Sequence, residues 1–554
     1  MQFVMKQISN MEKVRATDNV PTKELIRKKA LKGERVSYQI VMQGESLSYA
    51  RLTVDSPLAE YTEIFQEREV YMDLPIKSAE PVEESEEFIT LEPGFMPDVL
   101  VPVAEQNNLV RLRNTNTVLW VNINVPEDIE AGQYTVKIRA EVKNTFPSEE
   151  EALLNAVCTL QLEVCDAVLP PQKVMYTRWF YADCIATQHN VEIFSEQHWT
   201  LIEKYIAAAA KVGVNMILTP IHTPPLDTEI GTARPCVQLV DIEKKGDTYT
   251  FDFTKFKRFV AIAKKSGIQY FEMAHLFSQW GAKCAPNIMV TENGKTDYKF
   301  GWHVAADDPE YISFLKQYLK AVTDELKAEG IDGNTYFHVS DEPNTRNMEG
   351  YKTALNILKP LLGNSKIFDA LSHVEFYEQG LVTCPVTSVG TIHDFLPYKI
   401  ENQWAYYCCG PITKFTNSFL TIPSARVRIL GLQLFKYDVK GFLHWGLNFY
   451  NTAHSIYPIN PYQTTSSDGA FSSGDAYILY PSKDGAYTSL RAEITYQAMQ
   501  DVRLLDALEQ KVGKDKAVEL IDELAECDLR FDQYPICNAL YEKLHDKICE
   551  LLTK

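Results

Sequence analysis

From Met175 to Asn448 the chain repeatedly sets a short apolar, aromatic or β-branched run before a longer stretch of helical period, the signature of a parallel sheet. The runs are MYTRWFYAD (175–183), NMILTPIH (215–222), QYFEMAH (269–275), TYFHVS (335–340), KIFDALS (366–372), TSVGTI (387–392), WAYYCC (404–409) and GFLHWGLN (441–448). Eight is the number that closes a (β/α)8 barrel. Helical periods fill several gaps, notably HWTLIEKYIAAAAKVG, FKRFVAIAKKSG, EYISFLKQYLKAVTDELKAEG and SARVRILGLQLFKYDVKG, each running to a glycine as helices often do. In such barrels the active site lies at the C-terminal ends of the strands. Those ends carry Asp183, His222, His275, Asp341, Glu342 and Asn448.

The flanks read differently. RVSYQIVMQG, ARLTVDS, TVLWVNINVP and GQYTVKIRAEV alternate apolar with polar between turn residues, which predicts an N-terminal β-sandwich. The acidic segments EPVEESEE and FPSEEEALL read as solvated loops. LQLEVCDAV is a last strand, and Pro170-Pro171 a linker. From Ser489 onward the spacing is helical. The expected organisation is a sandwich over 1–170, a barrel over 171–490, and a C-terminal helical segment over 491–554 packed on the barrel.

With 55 Lys+Arg against 74 Asp+Glu, the formal charge of −19 repels phosphate backbones and anionic membranes. Neither nucleic acid nor membrane is an expected partner. The first residues lack the apolar core of a signal peptide, and no apolar run is long enough to span a bilayer, so the expected location is cytoplasmic. Eleven scattered cysteines, with Cys408-Cys409 the one adjacent pair, form neither a zinc-ribbon nor a disulfide pattern.

Within the barrel, NTYFHVSDEP delivers Asp341 and Glu342 together and then stops, because Pro343 brings no N–H to a ladder and keeps its predecessor extended. Consecutive strand residues face opposite sides, so two carboxylates share a pocket only where the pleat breaks, as at a strand tip. Sharing one raises at least one pKa, which keeps a carboxylic acid protonated for general-acid work. Six of seven tryptophans fall between 179 and 445. Trp280 and Trp302, in loops after the third strand, and Trp445, ending the eighth, are candidate walls for a sugar. The stiff loop PIHTPPLDT could hydrogen-bond sugar hydroxyls through His222 and Asp227, or be only a rigid connection. Histidines at strand ends also suit a metal-dependent hydrolase, but the first strand offers Tyr181-Ala182-Asp183 in place of a close histidine pair. The expectation is therefore no metal and no cofactor.

The run FHVSDEP, with WFYADCIA, TPPLDT, HLFSQWGA, WAYYCC, PSARVRILG, GFLHWGLNFYN and SSGDAYILYP, resembles glycoside hydrolase family 123 and the related bacterial proteins of domain-of-unknown-function 4091. The likeness covers roughly residues 175 to 500 in order. It implies a retaining exo-β-N-acetylgalactosaminidase that uses a consecutive Asp-Glu at Asp341 and Glu342 with assistance from its substrate, a small glycan or glycoside. In that mechanism Glu342 protonates the leaving oxygen and later activates water. Asp341 holds the N–H of the 2-acetamido group, orienting its carbonyl oxygen toward the anomeric carbon. A tyrosine of the seventh strand, Tyr407 or Tyr406, would donate to that oxygen; alternation puts only one of them inside the barrel, and Tyr407 is the preferred candidate. The candidate substrate-binding residues are then Asp183, His222, His275, Trp280, Trp302, Tyr407, Trp445 and Asn448.

Two other readings stay open. A conventional retaining glycosidase would set a second carboxylate, Glu272, Asp183 or Asp369, about 5–5.5 Å from Glu342 on the other face of the sugar. A catalytically silent glycan-binding protein would keep the aromatic walls, with no need of the intact pair.

Overall fold

A computed structural model describes residues 3–44, 48–144 and 154–553. The acidic segment over 146–154 lies, but for Leu154, outside the described residues. EPVEESEE is a loop, though Glu87 at its end takes the backbone N–H of Lys414 and faces the buried Arg426 at 3.4 Å.

Two antiparallel-rich sheets form the N-terminal sandwich. One runs in the order Val4–Ser9, Arg35–Gln43, Thr117–Asn124, Thr62–Met72, Gly94–Pro102, Ala486–Ser489 and Tyr480–Pro481; the other in the order Arg27–Lys32, Leu154–Val168, Gly132–Asn144, Ser48–Asp55 and Leu109–Arg111. Alternation sends Tyr38, Ile40 and Met42 from the first sheet against Leu52, Ile138 and Leu160 from the second. The last two strands of the first sheet come from the far end of the chain, so the sandwich is completed only after the barrel.

The barrel closes as predicted, with eight parallel strands: Met175–Arg178, Met216–Thr219, Tyr270–Met273, Thr335–Phe337, Lys366–Leu371, Cys384–Ser388, Trp404–Tyr406 and Gly441–His444. The first and last pair Met175 with Gly441 and Arg178 with His444. The sixth begins three residues before TSVGTI, at Cys384, because Pro385 lies inside it and argues against a strand in sequence. Tyr336, Phe368 and Trp404 fill the interior, with ring centroids 5.0–5.9 Å apart. That packing needs Gly441: a Cβ there would sit 2.3 Å from the Trp404 ring. Two hairpins, Asp241–Asp252 and Ile288–Phe300, pair into a separate four-stranded sheet inserted after the second and third strands.

Three helices follow, Leu490–Val512, Lys514–Ala525 and Asn538–Thr553. The first lies close on the barrel helix Ser424–Lys436, where a Cβ on Gly431 would reach 2.1 Å from the Ala498 carbonyl. The tail also touches the sandwich: Glu493 pairs with Arg35 at 3.3 Å and His545 with Glu34 at 2.8 Å. Among the described residues no helix is long and apolar enough to cross a membrane.

The junction of all three parts is Arg491. Its guanidinium and Asp98 of the sandwich are both fully buried, 2.8 Å apart, and it donates to the carbonyls of Ser418 and Tyr477. Removing one partner strands the other charge, which costs about 3–5 kcal/mol. Arg491→Met is therefore expected to lower the unfolding free energy by that amount, read from the denaturant midpoint.

Candidate active site

The strand tips surround a cavity of about 130 Å³ lined by Asp341, Glu342, Asp227, Tyr406 and the rings of Trp179, Trp280 and Trp445. A larger cavity, about 670 Å³, lies between the sandwich and the last helix. Its walls mix acids with bases and hold none of the strand tips, so the smaller one is the candidate site.

The fourth strand ends at Phe337, but backbone pairing continues: Leu276 and Phe277 donate to the carbonyls of His338 and Val339, and Trp280 N–H to that of Asp341 at 3.1 Å. The pleat breaks at Glu342, whose φ is +40°. Asp227, at +40°, and Trp280, at +57°, share this left-handed region, which non-glycine residues seldom adopt and which costs about 1–3 kcal/mol each. Three strained residues in one cavity mark where the surrounding structure dictates side-chain direction. Asp227 is pinned by Ser455 Oγ, which donates to its carbonyl at 2.7 Å, and by His454 N–H, which donates to its Oδ2 at 3.1 Å.

Burial and the charge of Glu342 raise the Asp341 carboxyl well above its ordinary range. Burial also raises Glu342, against a hydrogen bond from Tyr406, whose hydroxyl donates to Oε1 at 2.8 Å. The pair thus keeps a proton where exposed carboxyls have lost theirs. It titrates as a unit.

Below the pair lies a buried ion triad. His338 Nε2 meets Glu272 at 3.0 Å and Nδ1 meets Asp369 at 3.1 Å. With both carboxyls ionised they only accept, so both nitrogens then carry protons and the ring is an imidazolium. Burial opposes that charge, but the bonds to Asp369 and Glu272 outweigh it and hold the pKa up at about 9. Glu272 also accepts from the Trp179 indole at 3.3 Å, and Asp369 from the Val339 N–H at 3.1 Å and the Tyr351 hydroxyl at 2.7 Å. One network therefore holds a wall of the cavity and the segment leading to Asp341. His444, on the eighth strand, is the opposite case. Its Nδ1 accepts from Arg178 and from Gly446 N–H, so it is neutral, and burial beside Arg178 lowers its pKa to about 4.

His275, His338 and Asp369 lie close enough together to suggest a metal cluster. Both His338 nitrogens and both Asp369 oxygens are already committed, so the donor set is that of a hydrogen-bonded triad.

Of the residues predicted from sequence, Asp341, Glu342, Trp280 and Trp445 meet in the cavity, with Trp445 fixed by its indole N–H to Asp475 at 3.0 Å. Tyr407 does not. Trp404 and Tyr406 share the inward face, and Tyr407 points outward against Phe442 and His444, with centroids 4.8 and 5.4 Å away. Asp183 is not at a strand end: the first strand stops at Arg178, and Asp183 lies in the first turn of the helix Ala182–His189, buried 3.6 Å from Arg234. His222 bonds the His275 carbonyl at 2.9 Å, and His275 stacks on His338 at 4.0 Å; both are buried outside the cavity. Asn448 grips Tyr181, bonding its N–H and carbonyl at 3.0 Å each, and acts on the cavity through that ring. Trp302 borders a small side cavity with Pro224 and Arg234. Sequence reasoning passed over Trp179, although it falls two residues after the inward Thr177. Phe471 and Asp475 come from a loop that returns to the site after the eighth strand; the sequence reading gives neither a role, although Asp475 lies in SSGDAYILYP.

A family model described as glycoside hydrolase 123, catalytic domain, matches residues 179–508. The solved structure of a family 123 glycoside hydrolase from Clostridium perfringens, described in connection with glycolipid glycan hydrolysis, is similar across 100% of this chain and 97% of that one. It is 15% identical with a TM-score of 0.71, a likeness of fold. A putative beta-galactosidase from Bacteroides fragilis aligns over 84% of this chain and 58% of its own at 8% identity and a TM-score of 0.29, too slight to argue from. A search of curated proteins returns no match.

Proposed function

This chain belongs to glycoside hydrolase family 123 and is a glycosidase, and from that premise we propose that it removes a terminal β-linked N-acetylhexosamine, N-acetylgalactosamine foremost, with retention and with the 2-acetamido group as nucleophile. The observation that carries this reading is the consecutive Asp341-Glu342 on one tip beside Tyr406. Two carboxylates on one side of a sugar divide labour well and straddle it badly.

Tyr406 donates to Glu342 and so favours its ionised form, leaving the shared proton to Asp341. A bound acetamido group reverses this. Its N–H donates to Asp341, which favours the carboxylate, and its carbonyl oxygen takes the Tyr406 hydroxyl away from Glu342. The proton then stands on Glu342, facing the leaving oxygen. As Glu342 gives it up, the carbonyl oxygen bonds to the anomeric carbon and an oxazolinium forms, its charge balanced by Asp341. Glu342 then takes a proton from the water that opens the ring.

A conventional two-carboxylate mechanism has one supporting observation, Asp227 on the loop after the second strand, which lines the same cavity. Burial raises its carboxyl, against the His454 N–H that donates to it. Glu272, Asp369 and Asp183 are held in buried pairs away from the cavity. Chromogenic β-N-acetylgalactosaminide, β-N-acetylglucosaminide and β-galactoside separate the two readings. Turnover is expected only with the acetamido sugars and is expected to be lost in Asp341→Asn. Turnover of the plain galactoside, abolished by Asp227→Asn, would transfer the nucleophile to Asp227.

A further inference from the structure

Cys408 and Cys409 follow the seventh strand and take no part in the chemistry above. Consecutive strand side chains diverge, but here the chain turns at once: Cys408 N–H donates to the Gly410 carbonyl at 3.1 Å, and Asn417 Nδ2 to the Cys408 carbonyl at 2.9 Å. Both side chains consequently line the cavity that holds Asp341 and Glu342. Adjacent Cα atoms are about 3.8 Å apart, so two sulfurs turned to the same side lie within reach of one bridging atom.

The other cysteines offer no equivalent. Cys165 and Cys549 sit on elements that pack together, but both are buried where the last helix meets the sandwich. Cys409 and Cys537 are the exposed cysteines among the described residues, and Cys537 lies on the loop before that helix, away from the barrel mouth.

We propose that Cys408 and Cys409 form a dithiol site for trivalent arsenicals in the wall of the sugar cavity, and that occupation of this site closes the cavity. An organoarsenic(III) oxide condenses with the two thiols: two As–S bonds form, the As–O bonds break, and the oxygen leaves with both S–H protons as one water. Arsenic and sulfur keep their oxidation states, so no oxidant is needed. A ring-bearing arsenical held there stands beside Tyr406 and Trp445, in space the sugar must occupy. The closure rests on the glycosidase reading above; the binding does not.

The test adds one equivalent of phenylarsine oxide to the full chain and follows intact mass, titratable thiols and turnover together. One arsenical per chain is expected, with two thiols protected. The adduct should be reversed by 2,3-dimercaptopropanol and not by the same concentration of 2-mercaptoethanol. Cys408→Ser and Cys409→Ser are each expected to abolish stoichiometric uptake, and Cys549→Ser to leave it intact. Uptake that survives both cavity variants, or that disappears in Cys549→Ser, overturns the site. Turnover should fall at least tenfold at full occupancy, and turnover unchanged with the arsenical bound overturns the closure. If no sugar is turned over at all, mass and thiol count still decide whether the site exists.

Discussion

Glu342→Gln is expected to lower kcat/KM for a β-N-acetylhexosaminide with a poor leaving group by about 10²–10⁴, the worth of a positioned general acid. The loss should depend on the leaving group. A 2,4-dinitrophenolate departs without a proton, so kcat/KM for that aglycone should fall far less than for an alkyl or sugar aglycone. Because kcat/KM reports only steps through the first irreversible one, later activation of water by Glu342 does not blur the comparison; it appears in kcat. Asp341→Asn should behave differently. It removes the group that aims the acetamido oxygen, and this costs the first step whatever leaves, so both aglycones should lose activity alike. Equal losses for both aglycones in Glu342→Gln would remove that residue from the acid's role. Burial raises both carboxyls, so the pH profile should show macroscopic values of the pair above the ordinary carboxylate range.

Much of this site was legible because proline and alternation are local signals. Pro343 marks where the fourth run stops, although Glu342 before it is left-handed at φ +40° where an extended residue is expected. Aromatic or β-branched runs mark the barrel strands, the sixth displaced toward Cys384. What escaped depended on parity or distance. Choosing between Tyr406 and Tyr407 requires knowing that Trp404 faces inward, which its contacts with Tyr336 and Phe368 decide. Asp183 was misplaced because WFYAD continues the apolar run while the backbone has already left the sheet; a helix begins at Ala182. The helix Met348–Leu362 was hidden by Pro360 inside it, and the inserted hairpins by strands such as DIEKK, whose burial is too shallow to impose a pattern. Asp475 reaches Trp445 across 30 positions, and nothing at either residue announces the other.

His338→Gln is expected to be the most destabilising change at the site. It removes a cation from between two fully buried carboxylates, Glu272 and Asp369, and breaking such a set costs about 3–5 kcal/mol at neutral pH. The pH dependence identifies the charge. In the folded chain His338 is raised from 6.5 to about 9, so the native state binds its proton more tightly than the unfolded state does. The resulting stabilisation, roughly 3 kcal/mol, is complete below about pH 6.5 and is lost as pH rises through about 9. Burial lowers Lys13 to about 7 and Lys28 to about 8, and these shifts act in the opposite sense, but both lysines are present in wild type and variant and cancel in the difference. Denaturant midpoints of the two proteins should therefore stand well apart at pH 7 and draw together by pH 9.5. A gap that stays constant would mean the ring is neutral in the native state. Activity gives a second readout: Asp341 is lowered by the His338 charge, so its loss should move the acid limb of the pH–rate profile upward. Glu272→Gln should give a smaller stability loss with the same narrowing at lower pH, since it leaves His338 with one carboxylate in place of two.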